Sequence, residues 1–389
     1  MMERAQTEQL SLDQVRHARG VVADVVRETQ VIESRYLSRT TGGTIVLKAE
    51  NLQRTGSFKL RGALNKIATL GPDVKGVVTA SAGNHGQSLA YAARARDLAS
   101  TIFMPERAAL AKIAAARESG AEIVIGGDVV EECIEAAQER GEAENLAFVH
   151  PFDDPAVIAG QGTIGLELLE QVPDLAKVLI PLGGGGLVAG VAEAIKESRD
   201  SVEIVAVSAN AALADGIAVK SPGEITSPLI ERLVDQMVEV GEEAIAEAIM
   251  LLLERTKLVI EGAGAVGVAA LCEGLVQPAE SGTTVAILSG GNIDTGTLAD
   301  IARHHETARG RRLRLFTTLS DEPGSLAALL TKIGEGGANL IDVDHVREGV
   351  GLPVGESGIE LVMETRGPEH AQRLLELITE GGYSARVLD

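Results

Sequence analysis

The feature that most constrains this chain is a series of short, unbroken apolar runs set between Ala- and Glu-rich stretches. The runs are Thr44–Lys48, Val77–Thr79, Thr101–Met104, Glu122–Ile125, Val178–Pro181, Ile204–Val207 and Val285–Leu288. A strand with one wet face alternates polar and apolar residues, whereas a continuous run is buried on both faces. The stretches between the runs favour helix: Leu12–Glu28, Lys59–Leu70, the segment from Gly86 to Arg96, one opening at Pro105, and Val129–Gly141. Strand and helix in alternation predict an α/β fold with parallel sheets covered by helices. A length of 389 residues predicts two or three domains.

The rhythm changes near Arg309. Arg309, Arg311, Arg312 and Arg314 mark a hinge or a solvated face, which divides the chain into residues 1–310 and 311–389. Beyond it, Leu313–Leu319 alternates as a half-buried strand. A helix opens at Glu322-Pro323-Gly324-Ser325 and runs to Gly334. Strands follow at Asn339–Val346 and Gly358–Thr365, then a helix at Pro368–Glu380 and a last strand at Ser384–Leu388. This βαββαβ order predicts a ferredoxin-like module.

Composition excludes some partners. A net charge of −21 disfavours nucleic acid and anionic membrane surfaces. Val178–Ala192 is too short for a membrane span and is interrupted by glycines, and Met1–Arg19 carries no apolar leader segment, so the expected location is the cytoplasm. Cys133 and Cys272 lie in helical stretches without metal or redox spacing, and both read as small buried apolar residues.

Four motifs sit where strands end. Ser57-Phe58-Lys59-Leu60-Arg61-Gly62 places a lysine at a helix start, against the helix dipole. A covalent link to an aldehyde cofactor bearing a phosphate would relieve that conflict, although these six residues alone fit a solvated surface lysine better. Ser81-Ala82-Gly83-Asn84-His85-Gly86 is a small, polar strand-to-helix turn, suited to an anion at the helix N-terminus or to an ordinary capped turn. His85 there is more readily a local hydrogen-bonding residue than a base. Gly183-Gly184-Gly185-Gly186 precedes an Ala-rich helix and suits a phosphate. Gly184, Gly186 and Ala189 also fit a dinucleotide turn, but the next strand ends in Ser208-Ala209-Asn210 and lacks the acid that would hold a ribose. Ser289-Gly290-Gly291-Asn292 follows another strand. Together these motifs place a lysine, an amide, a phosphate cradle and a hydroxyl at the strand ends of one parallel sheet, which share an edge, so the groups can converge.

In combination these segments resemble the fold type II pyridoxal-phosphate enzymes, and among them the threonine dehydratase (threonine ammonia-lyase) family. The similar stretches are Ala49–Asn65, Ser81–Gln87, His150–Leu168, Pro181–Gly190, Ala214–Val219, Glu261–Gly264 and Leu288–Asp294. Residues 311–389 resemble an ACT domain through Asp321–Leu326 and Gly337–Leu340. The resemblance implies pyridoxal 5'-phosphate as cofactor, carried by Lys59, which would also take the substrate α-proton. Asn84 would meet the ring hydroxyl, Gly183, Gly184, Gly185, Gly186 and Leu187 the phosphate, and Ser289 the pyridine nitrogen. Ser81, Ala82, Gly83 and His85 would receive the carboxylate of a small amino-acid substrate.

The implied reaction is β-elimination from threonine, and from serine, giving a keto acid and ammonia. Serine racemases of the same fold carry a second hydroxyl where Ala82 stands, and His150-Pro151-Phe152-Asp153-Asp154 resembles the dehydratase form, so elimination is favoured over racemisation. Ser208 replaces an acidic metal ligand of some relatives, and no metal is expected. The tail implies an amino-acid effector and a homo-oligomer, dimer or tetramer. Two departures are Thr29-Gln30 in place of Thr-Pro and a short stretch from Val207 to Ala214. A nicotinamide dehydrogenase and a non-catalytic amino-acid sensor remain the readings from other classes.

Overall fold

The computed structural model describes residues 10–108, 110–217, 221–347, 352 and 354–388. Ala218 and Val219, the end of one family-like stretch, lie outside them. Among the described residues the chain forms two compact units, 1–294 and 295–389.

The first unit carries strands β1 (Val31–Glu33), β2 (Thr44–Lys48), β3 (Gly76–Ala80), β4 (Ala99–Met104), β5 (Glu122–Ile125), β6 (Leu146–Phe148), β7 (Leu175–Pro181), β8 (Glu203–Ala209), β9 (Gln236–Val240) and β10 (Thr283–Ile287). One sheet has the order β1-β2-β10-β7-β8-β9, and the other β5-β4-β3-β6. Every pairing is parallel except β1 with β2. All residues of β3 and β10 are buried, as their continuous apolar runs predict.

One long helix frames this unit. Pro155–Gln171 is capped by Asp154, whose carboxylate accepts from the Ala156 and Val157 amides at 2.9 and 3.1 Å. It packs against both helix Lys59–Ala68 and helix Gly186–Lys196, and small residues set the approach. A Cβ on Gly160 would lie 2.6 Å from the Arg61 carbonyl oxygen, and one on Gly190 would lie 2.3 Å from that of Ile158. The lysine helix and the glycine-loop helix are thus held to one common element.

Beneath the lysine helix lies a buried charge cluster. Arg61, with no exposed surface, reaches Glu50 through Nε and Nη2 at 2.9 and 2.8 Å. It reaches Glu167 through Nη1 and Nη2 at 2.5 and 2.9 Å. Lys48 Nζ donates to Glu167 at 2.5 Å and to the Thr29 carbonyl at 2.8 Å. The Thr29 hydroxyl donates to Glu50, so the residue beside the Gln30 departure is part of this cluster. Burial alone would raise the Glu50 pKa, but the Arg61 guanidinium outweighs it and holds the carboxyl below its ordinary value.

The second unit holds β11 (Arg312–Ser320), β12 (Asn339–Val346), β13 (Glu356–Glu364) and β14 (Arg386–Val387), in an antiparallel sheet of order β12-β13-β11-β14. Burial along β11 alternates, with Leu313, Leu315, Thr317 and Leu319 turned inward. Leu329, Ile333, Leu374 and Ile378 of helices Ser325–Glu335 and Pro368–Glu380 share that core. Helix Thr295–Ala308 belongs to this unit rather than to the first. The Arg311 guanidinium pairs with Glu306 at 2.6 Å, and the Arg311 carbonyl accepts from the Thr365 amide at 2.8 Å.

Several expected boundaries move. The first helix ends at Val22 instead of Glu28, because the chain turns there, with the Val25 and Val26 amides both donating to the Val22 carbonyl. The helix expected at Pro105 begins at Leu110, after a turn in which the Ala108 amide closes on the Pro105 carbonyl. The lysine helix stops at Ala68, shortly before Gly71-Pro72. Cys133 is buried, but Cys272 is exposed, since it ends helix Gly262–Cys272, where the buried stretch stops at Leu271. Among the described residues no helix is long and apolar enough to cross a membrane.

Candidate active site

Lys59 opens its helix directly after the Ser57 bridge to Gly290, so β10's outer end fixes where the lysine begins. The Phe58 amide donates to the Ser289 carbonyl at 3.1 Å. Lys59 Nζ donates to the Pro151 carbonyl at 2.8 Å and lies 5.2 Å from the Phe58 ring centroid. Burial pushes the amine down to about 8, against an upward pull from Glu261. An amine with that value is partly unprotonated near neutral pH, which suits a nucleophile or a base.

The Ser81–Gly83 turn leads from β3 into helix Asn84–Ala95, so it belongs to the four-stranded sheet and not, as expected, to the sheet of β7 and β10. Ser81 Oγ accepts from the Gly83 amide at 3.2 Å. Asn84 Nδ2 donates to Glu261 at 2.6 Å, and its Oδ1 accepts from Asn292 Nδ2 at 2.6 Å. A carboxylate only accepts, so Glu261 fixes which way the Asn84 amide faces. His85 is buried, with Nε2 at 3.0 Å from the Val149 carbonyl and Nδ1 without a partner among the described residues. Burial, with Lys59 nearby, lowers it to about 3, so the ring is neutral.

The glycine loop follows β7. Gly185 is in the left-handed region at φ +90°, and Gly186 opens its helix. A Cβ on Gly184 would lie 2.3 Å from the Phe152 ring, so only glycine admits that ring. The amides of Gly183, Gly184, Gly185, Gly186 and Leu187 donate to no acceptor among the described residues. These adjoining donors at a helix N-terminus fit a phosphate. Ser289 is buried, and its hydroxyl donates weakly to the Ala263 carbonyl at 3.4 Å.

The structure brings these groups together through residues to which the sequence assigned no role in the site. Pro151 takes the Lys59 N–H, and its neighbour Phe152 lies on Gly184 and Gly186. The Glu261 amide donates to the Gly290 carbonyl at 3.1 Å, while its side chain holds Asn84. Asn292 joins Asn84 to the Thr55 carbonyl, at 2.9 Å from the latter. Asp153 and Thr226 brace the loop from behind. Glu261 and Asn292 lay within the family-like stretches, yet only the fold reveals that both meet Asn84.

A profile of the family described as "Pyridoxal-phosphate dependent enzyme" matches residues 22–290. The chain belongs to this family. Its members use pyridoxal phosphate, so the dinucleotide reading of Gly184, Gly186 and Ala189 gives way. An L-threonine ammonia-lyase from Geobacter sulfurreducens is 47% identical, over 93% of this chain and 96% of its own length. Among solved structures, a T.th. threonine deaminase is 40% identical with a TM-score of 0.69, over 73% of this chain and 99% of its own. A maize serine racemase is 32% identical with a TM-score of 0.72, over 77% and 99%.

Proposed function

We propose that this chain deaminates L-threonine, and L-serine as a second substrate, by β-elimination to 2-oxobutanoate or pyruvate and ammonia. The observation that carries the reading is that the Pro151-Phe152 segment touches both the Lys59 amine and the glycine loop, whose amides from Gly183 to Leu187 have no acceptor among the described residues. An aldehyde-bearing phosphate ester matches both ends of that arrangement. The names of the Geobacter and T.th. relatives support threonine as the substrate.

Bound pyridoxal phosphate would supply an electron sink for charge left at the substrate α-carbon. Lys59 would carry it and, once displaced by substrate, take the α-proton. Gly183, Gly184, Gly185, Gly186 and Leu187 would hold its phosphate, Asn84 its ring hydroxyl and Ser289 its ring nitrogen. A hydroxyl facing that nitrogen would leave it unprotonated, whereas a carboxylate would not. Ser81, Ala82, Gly83 and His85 would receive the substrate carboxylate. Ala82 offers no proton to the opposite face, which favours elimination over the chemistry named for the maize relative.

Residues 311–389 would form an ACT-type regulatory domain on a catalytic region of residues 1–310. The split βαββαβ order supports this, as does a Geobacter alignment that covers nearly the whole chain. Isoleucine or valine is the expected effector, acting on a homo-oligomer. Keto-acid release from threonine and serine, with and without isoleucine, tests the proposal. Release from neither substrate in the presence of pyridoxal phosphate would refute the activity, and indifference to every branched amino acid would refute the regulation.

A further inference from the structure

The segment His150–Thr226 contains a clasp that no part of the proposed chemistry uses. Asp153 is close to the glycine loop, yet its carboxylate is committed elsewhere. It accepts from the amides of Glu224, Ile225 and Thr226 at 3.0, 3.0 and 3.1 Å, the turn that begins helix Thr226–Leu233. The packing is tight: a Cβ on Gly223 would lie 2.2 Å from this carboxylate. Thr226, fully buried, then donates its hydroxyl to the Gly184 carbonyl at 2.8 Å and accepts from the Gly223 amide at 2.8 Å. A Cβ on Gly185 would lie 2.8 Å from the Thr226 side chain. Phe152 covers Gly184 and Gly186.

Three consecutive residues therefore have three connected duties. Pro151 accepts from the lysine amine, Phe152 seats the glycine loop, and Asp153 anchors the turn whose threonine pins the Gly184 carbonyl. With that carbonyl held by the Thr226 hydroxyl, the peptide dipoles on either side of it are fixed. With the Asp153 carboxylate occupied by three amides, a negative charge that would compete for the loop's donors is kept away from them.

We infer that Asp153 and Thr226 are positioning residues that preorganise the amides of Gly183 to Leu187 for a phosphate ester and set their distance from Lys59. This rests on the cofactor placement proposed above. The predicted signature is selective. Loss of the clasp weakens recognition of the phosphate and leaves the reaction of the aldehyde with Lys59 intact.

The test compares pyridoxal phosphate with pyridoxal, which lacks the phosphate, by spectroscopic titration of the full chain stripped of cofactor. The variants are Thr226→Val, Thr226→Ser and Asp153→Asn. The wild-type chain should prefer pyridoxal phosphate strongly. Thr226→Val and Asp153→Asn should weaken pyridoxal phosphate roughly tenfold, the scale of one lost hydrogen bond to an organised site, and leave pyridoxal unchanged. Thr226→Ser, which keeps the hydroxyl, should retain wild-type preference. Equal weakening of both compounds in Thr226→Val, or no change in either, overturns the clasp. A wild-type chain that binds both compounds alike overturns the phosphate cradle itself, which is a different result from either.

Discussion

Removing Arg61 should be among the most damaging single changes to this fold. In Arg61→Met the guanidinium's bonds to both Glu50 and Glu167 disappear, and two buried carboxylates face the single ammonium of Lys48. The cluster changes from balanced charge to an excess negative charge in a buried site. Breaking a buried pair by removing one partner costs about 3–5 kcal/mol. For a unit of this size that corresponds to a fall in melting temperature of roughly 6–10 °C, taking about 2 °C per kcal/mol. Thermal unfolding of the full chain followed by far-UV circular dichroism measures it. Because charge balance sets the cost, the double variant Arg61→Met with Glu50→Gln is the sharper test. It leaves the Lys48–Glu167 pair matched and should recover part of the loss, with a coupling of about 1–3 kcal/mol. A single variant that melts within a degree or so of wild type would refute the reasoning. So would a double variant whose loss is the sum of the two singles.

Other outcomes follow from the same geometry. In the cofactor-stripped chain, the rate at which Lys59 reacts with pyridoxal phosphate should rise with pH through a midpoint at about 8. Because Glu261 pulls the amine upward, Glu261→Gln should move that midpoint lower; a midpoint near 10 in wild type would contradict the burial argument. Gly190→Ala, which drives a methyl against the Ile158 carbonyl, should destabilise the chain by about 1–3 kcal/mol in chemical denaturation. If Ala82 is the reason for elimination alone, Ala82→Ser should show racemised substrate by chiral chromatography, where wild type shows none.

The parallel sheets were legible because most of their burial is written as continuous apolar runs, although β5, at a sheet edge, has no fully buried residue despite its run. β10 and β3 are wholly buried, and no charged position interrupts them. The strands that escaped notice have a different physics. β1 and β6 have only three residues each, too few for any period to register, and β9 is an edge strand whose residues Gln236 and Glu239 face partly outward. The tail's alternation along β11 announced a one-sided sheet equally directly.

The site divides in the same way. Lys59, the glycine loop and Ser289 could be singled out because each pairs an unusual residue type with a strand end. Glu261, Asp153 and Asn292 stood in motifs or family-like stretches, but their roles, and Thr226 altogether, stayed hidden, because each acts on a partner far along the chain: Glu261 and Asn292 on Asn84, Asp153 on the turn at Thr226. Nothing local marks an acid that meets its amide only after the fold closes. Arg61 is the instructive case. It stands inside the lysine motif and looks like an ordinary helix residue, yet it anchors the helix from below.

The proposed chemistry depends on one atom, the Lys59 amine. Borohydride treatment of the full chain bound to pyridoxal phosphate, followed by peptide mass spectrometry, locates the link. The cofactor should be fixed on the peptide containing Lys59, with no fixed cofactor or keto-acid release in Lys59→Ala. Label on another lysine such as Lys48 or Lys66, or undiminished keto-acid release by Lys59→Ala, would contradict it.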